Sequence, residues 1–299
     1  MTGSEAVATR ELSKGYGRET ALDGVDLRVP EGAVYVLVGA NGAGKSAALK
    51  ILMNVERADA GAAEIFGLDT VRRGAEARAQ VGYVPEKSDQ SHRWMTCGAL
   101  IDQVAAYYPA WDRAYANQLY GAFELRRDRK VGTLSKGEGR RLQLLLALSH
   151  RPPVLLLDEP LDGLDPVMRN RTLSLLAEHL ADSPTSILIS THQVHELESL
   201  GDHIGVLQRG RLVAQMSRDE LQLTVGCYLV DLPDGWQPPR DLLPAGVRAN
   251  GGREAAWTLV GDRRDLVSRL TIAGALVRDV QPLPLPDATL ALLTHEVPR

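Results

Sequence analysis

Residues 39 to 46, GANGAGKS, place the tightest constraint on what this chain can fold into. Gly39, Gly44, Lys45 and Ser46 fill the pattern G-x-x-x-x-G-K-[ST], and the preceding AVYVLVG (33 to 39) has the continuous β-branched, apolar character of a buried strand. After the lysine, SAALKILMN has the composition of a helix. A strand, a glycine-rich turn and a helix N-terminus aim backbone N–H groups and roughly half a positive charge at one point, which suits a di- or triphosphate. In this pattern Lys45 reaches the β and γ phosphates and Ser46 offers its hydroxyl to Mg²⁺, an ion that keeps several waters and takes few protein ligands. The plain alternative is a tight strand-to-helix turn without a ligand.

Composition narrows the setting. At 299 residues the chain exceeds one average domain, so a large domain with an accessory one is expected. No apolar run nears the roughly 20 residues that a transmembrane helix needs, and MTGSEAVATR lacks the apolar core of a signal peptide. A soluble or peripheral protein is therefore expected. Cys97 and Cys227 are the only cysteines, which suggests a reducing, cytoplasmic setting without a disulfide framework. A net charge of -4 with no basic block argues against general nucleic-acid binding.

Along the chain, ATRELSKGYG and ALDGVDLRVPEG alternate polar and apolar positions, which predicts antiparallel strands in the first 32 residues. AEIFGLDT predicts another short strand. Between about 86 and 130 the texture changes: MTCGALIDQVAAYYPAW and RAYANQLYGAFEL have helical spacing and few strand formers, so a helical subdomain is expected there. Strand signals return with PVLLLDEP and TSILIST, and HIGVLQRGRLVAQ predicts a hairpin around Arg209-Gly210. Past about 215, CYLVDLP, EAAWTLVGD, the helical RRDLVSRLTIAG, ALVRDVQPLP and a final helix PDATLALLTHE predict a small α/β unit of βαβ type, set off by the loop PDGWQPPRDLLPAG.

Two further stretches carry chemistry. PVLLLDEP (153 to 160) is an apolar run ending in two acids, and a buried strand delivers both to its C-terminal edge, where open α/β sheets bind ligands. Asp158 would hold the Mg²⁺, directly or through water, and Glu159 would polarise an attacking water near the γ-phosphate. LSKGEGRRLQLLLALSHRP (134 to 152) is a polar turn before an increasingly apolar helix. Ser135 and Glu138 fit S-x-x-E, a capping box. The Ser135 hydroxyl, the Gly137 N–H and the helix dipole also make a second anion site. One nucleotide does not need two phosphate-binding helix ends from one chain. That surplus points to a dimer in which each nucleotide is gripped by both chains.

Taken in order, GANGAGKS, LSKGE, VLLLDEP, LDGLDP and the histidine of STHQVHELE resemble the ATP-binding subunit of an ABC transporter over roughly residues 7 to 214. The resemblance implies a P-loop NTPase core of the ABC type (α/β, a mixed sheet with antiparallel N-terminal strands) in residues 1 to 214, with the helical subdomain at about 86 to 130 and the accessory α/β domain at 215 to 299. It implies ATP and Mg²⁺ as ligands and two subunits sandwiching two ATP molecules head to tail. Nucleotide contacts then fall on Tyr16, which would stack on adenine, on Gly39, Asn41, Gly42, Gly44, Lys45, Ser46 and Ala47, and on Ser135, Gly137, Glu138 and Asp165. His192 corresponds to the switch histidine at the γ-phosphate, and with Glu159 forms the catalytic pair. Tyr16 as a strand aromatic packed on the core, and Asp165 as an N-cap before Pro166, are the plain readings beside these.

The family that the chain resembles usually carries glutamine, and in some branches glutamate, where VGYVPEKSD places Glu86. Glutamate also ligates Mg²⁺ through oxygen, so Ser46, Glu86 and Asp158 form the expected metal set. It cannot donate an N–H while ionised. The stretch YYPAWDRAYANQLYGAFEL resembles bacterial ATPases that serve a separately encoded transmembrane permease, often an exporter, with Trp94, Met95, Tyr107, Tyr108 and Trp111 as docking contacts or simply as subdomain core. The implied location is the cytoplasmic face of the membrane, as a homodimer or a heterodimer with a paralogue. The alternative is a soluble ABC-type ATPase acting on ribosome or DNA, though the paired cassettes, coiled coil or zinc cysteines of such proteins are not visible.

Overall fold

The computed structural model describes residues 4–87, 91–233, 236, 242, 246–250 and 254–294. Its centre is a six-stranded sheet in the order Arg211–Ser217, His203–Gln208, Val34–Val38, Ser186–Thr191, Val154–Asp158, Val81–Val84. Five of these strands run parallel; Arg211–Ser217 alone is antiparallel, as the return arm of the hairpin at Arg209-Gly210. Val34–Val38, Val154–Asp158 and Ser186–Thr191 are buried at every position, which is why these segments are continuous apolar runs without alternation. Because the strands are parallel, their C-terminal ends share one edge. That edge receives the loop after Val38, the acids Asp158 and Glu159, His192, and the turn containing Glu86.

The expected antiparallel N-terminal strands form a second sheet. Glu5–Tyr16 pairs with Glu19–Val25, Arg28–Pro30 and Ala60–Ile65, and Ala60–Ile65 turns into Leu68–Asp69. AEIFGLDT thus ends one strand and starts another. The helix Lys45–Leu52 packs between the two sheets, its Ala48, Leu49 and Leu52 joining Val7, Leu22 and Ile65 on one side and Leu37, Leu156 and Leu188 on the other. The phosphate loop is therefore clamped by both sheets.

Within residues 86 to 130 lie the helices Cys97–Ala105 and Arg113–Ala122, capped by Thr96 and Asp112 side chains that accept from Ala99 and Tyr115 N–H groups. Both pack on Lys136–Leu148 through Leu100, Ile101, Leu119, Leu145 and Leu148. Where these helices meet Pro166–Asp182, a polar cluster around the buried His179 and His150 sits beside the aliphatic packing. The Tyr115 hydroxyl lies 3.1 Å from His179 Nδ1, Thr185 Oγ1 lies 3.3 Å from His179 Nε2, and Tyr108 stacks on His150 with ring centroids 4.0 Å apart. Arg151 covers the Tyr115 ring at 3.6 Å and pairs with Asp112 at 3.3 Å and Asp182 at 3.9 Å.

In the C-terminal part, Glu254–Val260 and Leu276–Pro282 flank Val225–Asp231, each antiparallel to it, and Gly246–Asn250 adds a fourth strand. The two flanking strands are parallel to each other and joined by the helix Arg263–Ile272. The βαβ pattern takes its split form, with one antiparallel strand between the pair. The loop PDGWQPPRDLLPAG lies mostly outside the described residues. The last helix, Leu285–Thr294, returns to the main body: Leu285, Ala288 and Leu292 share a hydrophobic cluster with Ile204, Val206 and Leu221, and Gln208 Nε2 donates to Leu293 O at 3.0 Å.

Candidate active site

The phosphate loop owes its path to its glycines. Gly44 has φ of 107°, and a Cβ there would stand 2.2 Å from Ala21 O, so only glycine leads into the helix at this point. The following Lys45 is buried, 5% exposed, and its ammonium donates to Gly39 O at 2.7 Å and Ala40 O at 3.3 Å. It also lies 3.6 Å from Glu159 Oε1. These partners satisfy the buried ammonium and hold it inside the loop.

Ser46 Oγ donates to Asp158 Oδ1 at 3.1 Å, and Ser190 Oγ donates to the same oxygen. The other carboxylate oxygen, Asp158 Oδ2, is buried without a hydrogen-bond partner. A fully buried charged oxygen left unpaired is expensive, and an oxygen-seeking divalent cation is the partner that fits it. Among the described residues no group of three His, Cys, Asp or Glu side chains is disposed to hold a metal alone. Mg²⁺ needs fewer protein ligands than that, since waters and substrate phosphates fill its octahedron.

Glu159 is one of the few non-glycine residues in the left-handed region, with φ of 49°. Its N–H is tied to Ser190 O at 3.1 Å, and the turn aims its carboxylate across the strand ends. There Oε1 meets His192 Nδ1 at 3.0 Å, while His192 Nε2 lies 3.0 Å from Gln193 Nε2. The acid thus sits between a lysine and a histidine, anchored at both.

Tyr16, Asn41, Gly42, Gly44, Lys45, Ser46, Ala47, Glu86, Glu159 and His192 all line one cleft of about 470 Å³. Gly39 lies beneath it, accepting from Lys45. Tyr16 is 46% exposed there, not packed in the core. Burial and a hydrogen bond to Glu56 push its hydroxyl up to about 12. Ser135, Gly137, Glu138 and Asp165 do not line this cleft. Ser135 caps Lys136–Leu148: its Oγ accepts from Glu138 N–H at 3.2 Å, and Glu138 Oε2 accepts from Ser135 N–H at 2.8 Å. Gly137 lies against the loop after Glu159, where a Cβ would be 2.7 Å from Gly163 O. Asp165 caps the next helix, accepting from Val167 and Met168 N–H groups at 3.0 Å each, and those bonds, Met168's first, hold its carboxyl below the usual range. The plain capping readings of Ser135, Glu138 and Asp165 are therefore realised. Ser135 and Asp165 remain exposed.

Three residues of the site were not singled out from the sequence. Ser190 and Arg140 support Asp158, and Glu56 supports Tyr16. Arg140, 2% exposed, reaches from the helix Lys136–Leu148 to Pro85 O at 2.5 Å, Glu86 O at 2.6 Å and Asp158 O at 3.4 Å. Burial lowers its guanidinium from its ordinary value, against the pull of Asp162, Asp158 and Glu86. An arginine in phase with Leu144 and Ala147 on the buried face of the helix Lys136–Leu148 was the available signal.

Residues 22–162 match the ABC transporter family model. The chain is 32% identical over 297 residues to Nod factor export ATP-binding protein I of Burkholderia thailandensis, spanning 96% of this chain and 97% of that one. It belongs to the ABC transporter family. It is also 35% identical over 237 residues to the daunorubicin/doxorubicin resistance ATP-binding protein DrrA of Streptomyces peucetius, covering 77% of this chain and 70% of the relative. A solved structure of an ATP-binding subunit of an ABC transporter, 28% identical, superposes with a TM-score of 0.66 over 73% of this chain and 92% of its own. The chain is thus an ATP-binding subunit that hydrolyses ATP in the service of transport. No helix among the described residues is long and apolar enough to cross a membrane.

Proposed function

We propose that this ATPase drives a separately encoded transmembrane permease as an exporter, by closing two copies, or a copy and a paralogue, around two ATP molecules. The observation that carries the reading is the separation of the two anion sites. Lys45 and Ser46 line one cleft, whereas Ser135, exposed, and Gly137, half-buried, lie outside it at the end of another helix. A nucleotide on one chain's loop therefore leaves that helix end for the nucleotide of a second chain. Within the cleft Tyr16 stacks on the base, Lys45 binds the terminal phosphates, Glu159 accepts the proton of the attacking water, and His192 fixes Glu159 and the γ-phosphate. Mg²⁺, when bound, offsets charge on the phosphates, and Ser46, Asp158 and Glu86 are the residues that would hold it.

Glu86 also lines a second hollow of about 710 Å³, between the helical part and Lys136–Leu148, with Leu100, Val104, Leu142 and Arg93 on its walls. An apolar floor with a charged rim suits a helix of the permease. Trp94 and Tyr107, 74% and 75% exposed, stand free on the same part of the molecule. Met95, Tyr108 and Trp111 turn inward instead, Met95 and Trp111 into the core and Tyr108 onto His150. The names of the two relatives, export and drug resistance, support the outward direction.

Glu86→Gln is expected to keep ATPase activity within about tenfold of the parent, because Arg140 holds this turn through the Glu86 carbonyl and either side chain offers an oxygen. Complete loss of phosphate release would show that the carboxylate itself is required. The function as a whole is tested by capturing tagged Glu159→Gln protein from detergent-solubilised native cells in MgATP and identifying what accompanies it. A multi-span membrane protein in near-equal amount is the expected result. Ribosomal or DNA-repair proteins in its place would overturn it.

A further inference from the structure

Tyr16 ends its strand half exposed, yet its ring is not free to swing. Its hydroxyl donates to Glu56 Oε2, and Glu56 Oε1 accepts from Lys50 Nζ at 3.0 Å. Lys50 stands four residues after Ser46 on the helix Lys45–Leu52, so two hydrogen bonds connect the phosphate-loop helix to the ring. The neighbouring backbone is pinned as well. Asp59 Oδ2 accepts from Gly15 N–H at 2.7 Å and Asp59 Oδ1 from Lys14 Nζ at 3.1 Å, with that ammonium 5.6 Å from the Tyr16 ring centroid. Tyr16, Lys50 and Glu56 line the same cleft as Lys45 and Ser46.

We propose that Glu56 is a positioning residue, holding the Tyr16 ring as a platform for the nucleotide base at a set distance and angle from the phosphate loop. The proposal rests on the reading of Tyr16 as the base platform and adds what orients it. Stacking depends on ring offset and tilt, so a ring that must first be ordered spends part of its stacking energy on losing its own freedom. A ring already tied to the helix that binds the phosphates does not. Base and phosphates then meet one rigid surface built from segments 40 residues apart in sequence.

The test is calorimetric titration of the full chain with MgATP and, separately, with magnesium tripolyphosphate, which carries the phosphates without a base. Glu56→Ala is expected to weaken MgATP binding about three- to tenfold, part of one base's stacking, and to leave tripolyphosphate unchanged. Tyr16→Phe, which keeps the ring and loses the hydroxyl, should match it, and the double variant should be no weaker than either single one. Glu56→Gln keeps one oxygen, for the Tyr16 hydroxyl, and gives up the one that accepts from Lys50, so its binding should fall between that of the parent and that of Glu56→Ala. Equal weakening for both ligands, or additive losses in the double variant, would overturn the positioning role. If Tyr16→Ala leaves MgATP binding intact, the base platform itself is misassigned. If Tyr16→Ala weakens binding and Glu56→Ala does not, only the role of Glu56 falls.

Discussion

Glu159→Gln is expected to bind MgATP, pair two chains around it, and release phosphate about a thousandfold more slowly than the parent. The magnitude is that of removing a positioned general base. The geometry supplies the rest of the argument. The carboxylate is held by His192 at 3.0 Å and Lys45 at 3.6 Å, on a left-handed residue whose N–H is fixed by Ser190. An amide of the same shape preserves those contacts, so the cleft stays assembled. It also removes a negative charge beside the proposed site of the γ-phosphate, which favours the bound state while taking away the proposed base for the attacking water. Single-turnover phosphate release and light scattering in excess MgATP check the two halves. Turnover within tenfold of the parent would remove Glu159 from the role of base, and a chain that stays monomeric would remove the sandwich.

A second large effect is expected on stability, in acid. His150 and His179 are buried where the helical part meets the helix Pro166–Asp182, and each is pushed down to about 4, His150 by burial and then by His179, His179 by burial and then by Arg151. The groups facing them are Tyr108, Tyr115, Thr185 and Arg151, with Asp112 and Asp182 held off on Arg151. A histidine whose folded pKa lies below its unfolded value binds its proton more readily in the unfolded chain. Its stabilising contribution is therefore complete above the unfolded value near 6.5 and is lost as pH falls from there toward 4. A fall from near 6.5 to about 4 corresponds to about 3 kcal/mol for one ring, with less than twice that for the two neighbouring rings. Against a total of about 5–15 kcal/mol, this is a large fraction of the stability of the folded chain. Urea midpoints at pH 7.5 and pH 4.5 measure it. His179→Gln, whose amide can still meet Tyr115 and Thr185, is expected to flatten the difference between them; an unchanged difference would assign the acid loss to other groups.

The sequence by itself determined the chemistry of this protein, because that chemistry is written in contiguous stretches whose backbone path follows from the residues themselves. GANGAGKS specifies its own turn through Gly44, PVLLLDEP places two acids where a buried strand must end, and S-x-x-E caps its helix as the spacing demands. The strands, helices and hairpin around them were legible for the same reason: local periodicity and turn residues act over a few positions. What only the tertiary structure decided are the relations set by register and by the crossing of elements far apart in sequence. Ser190 reaches Asp158 because two parallel strands pair Asp158 with Ser190. Arg140 finds the Glu86 carbonyl because a helix crosses the end of a strand at one height, and Glu56 meets Tyr16 because an antiparallel sheet folds back over the phosphate-loop helix. The split order of the C-terminal sheet and the return of Leu285–Thr294 to the main core belong with these. Such contacts are selected by the summed packing of whole elements, and no single stretch of the sequence contains that sum.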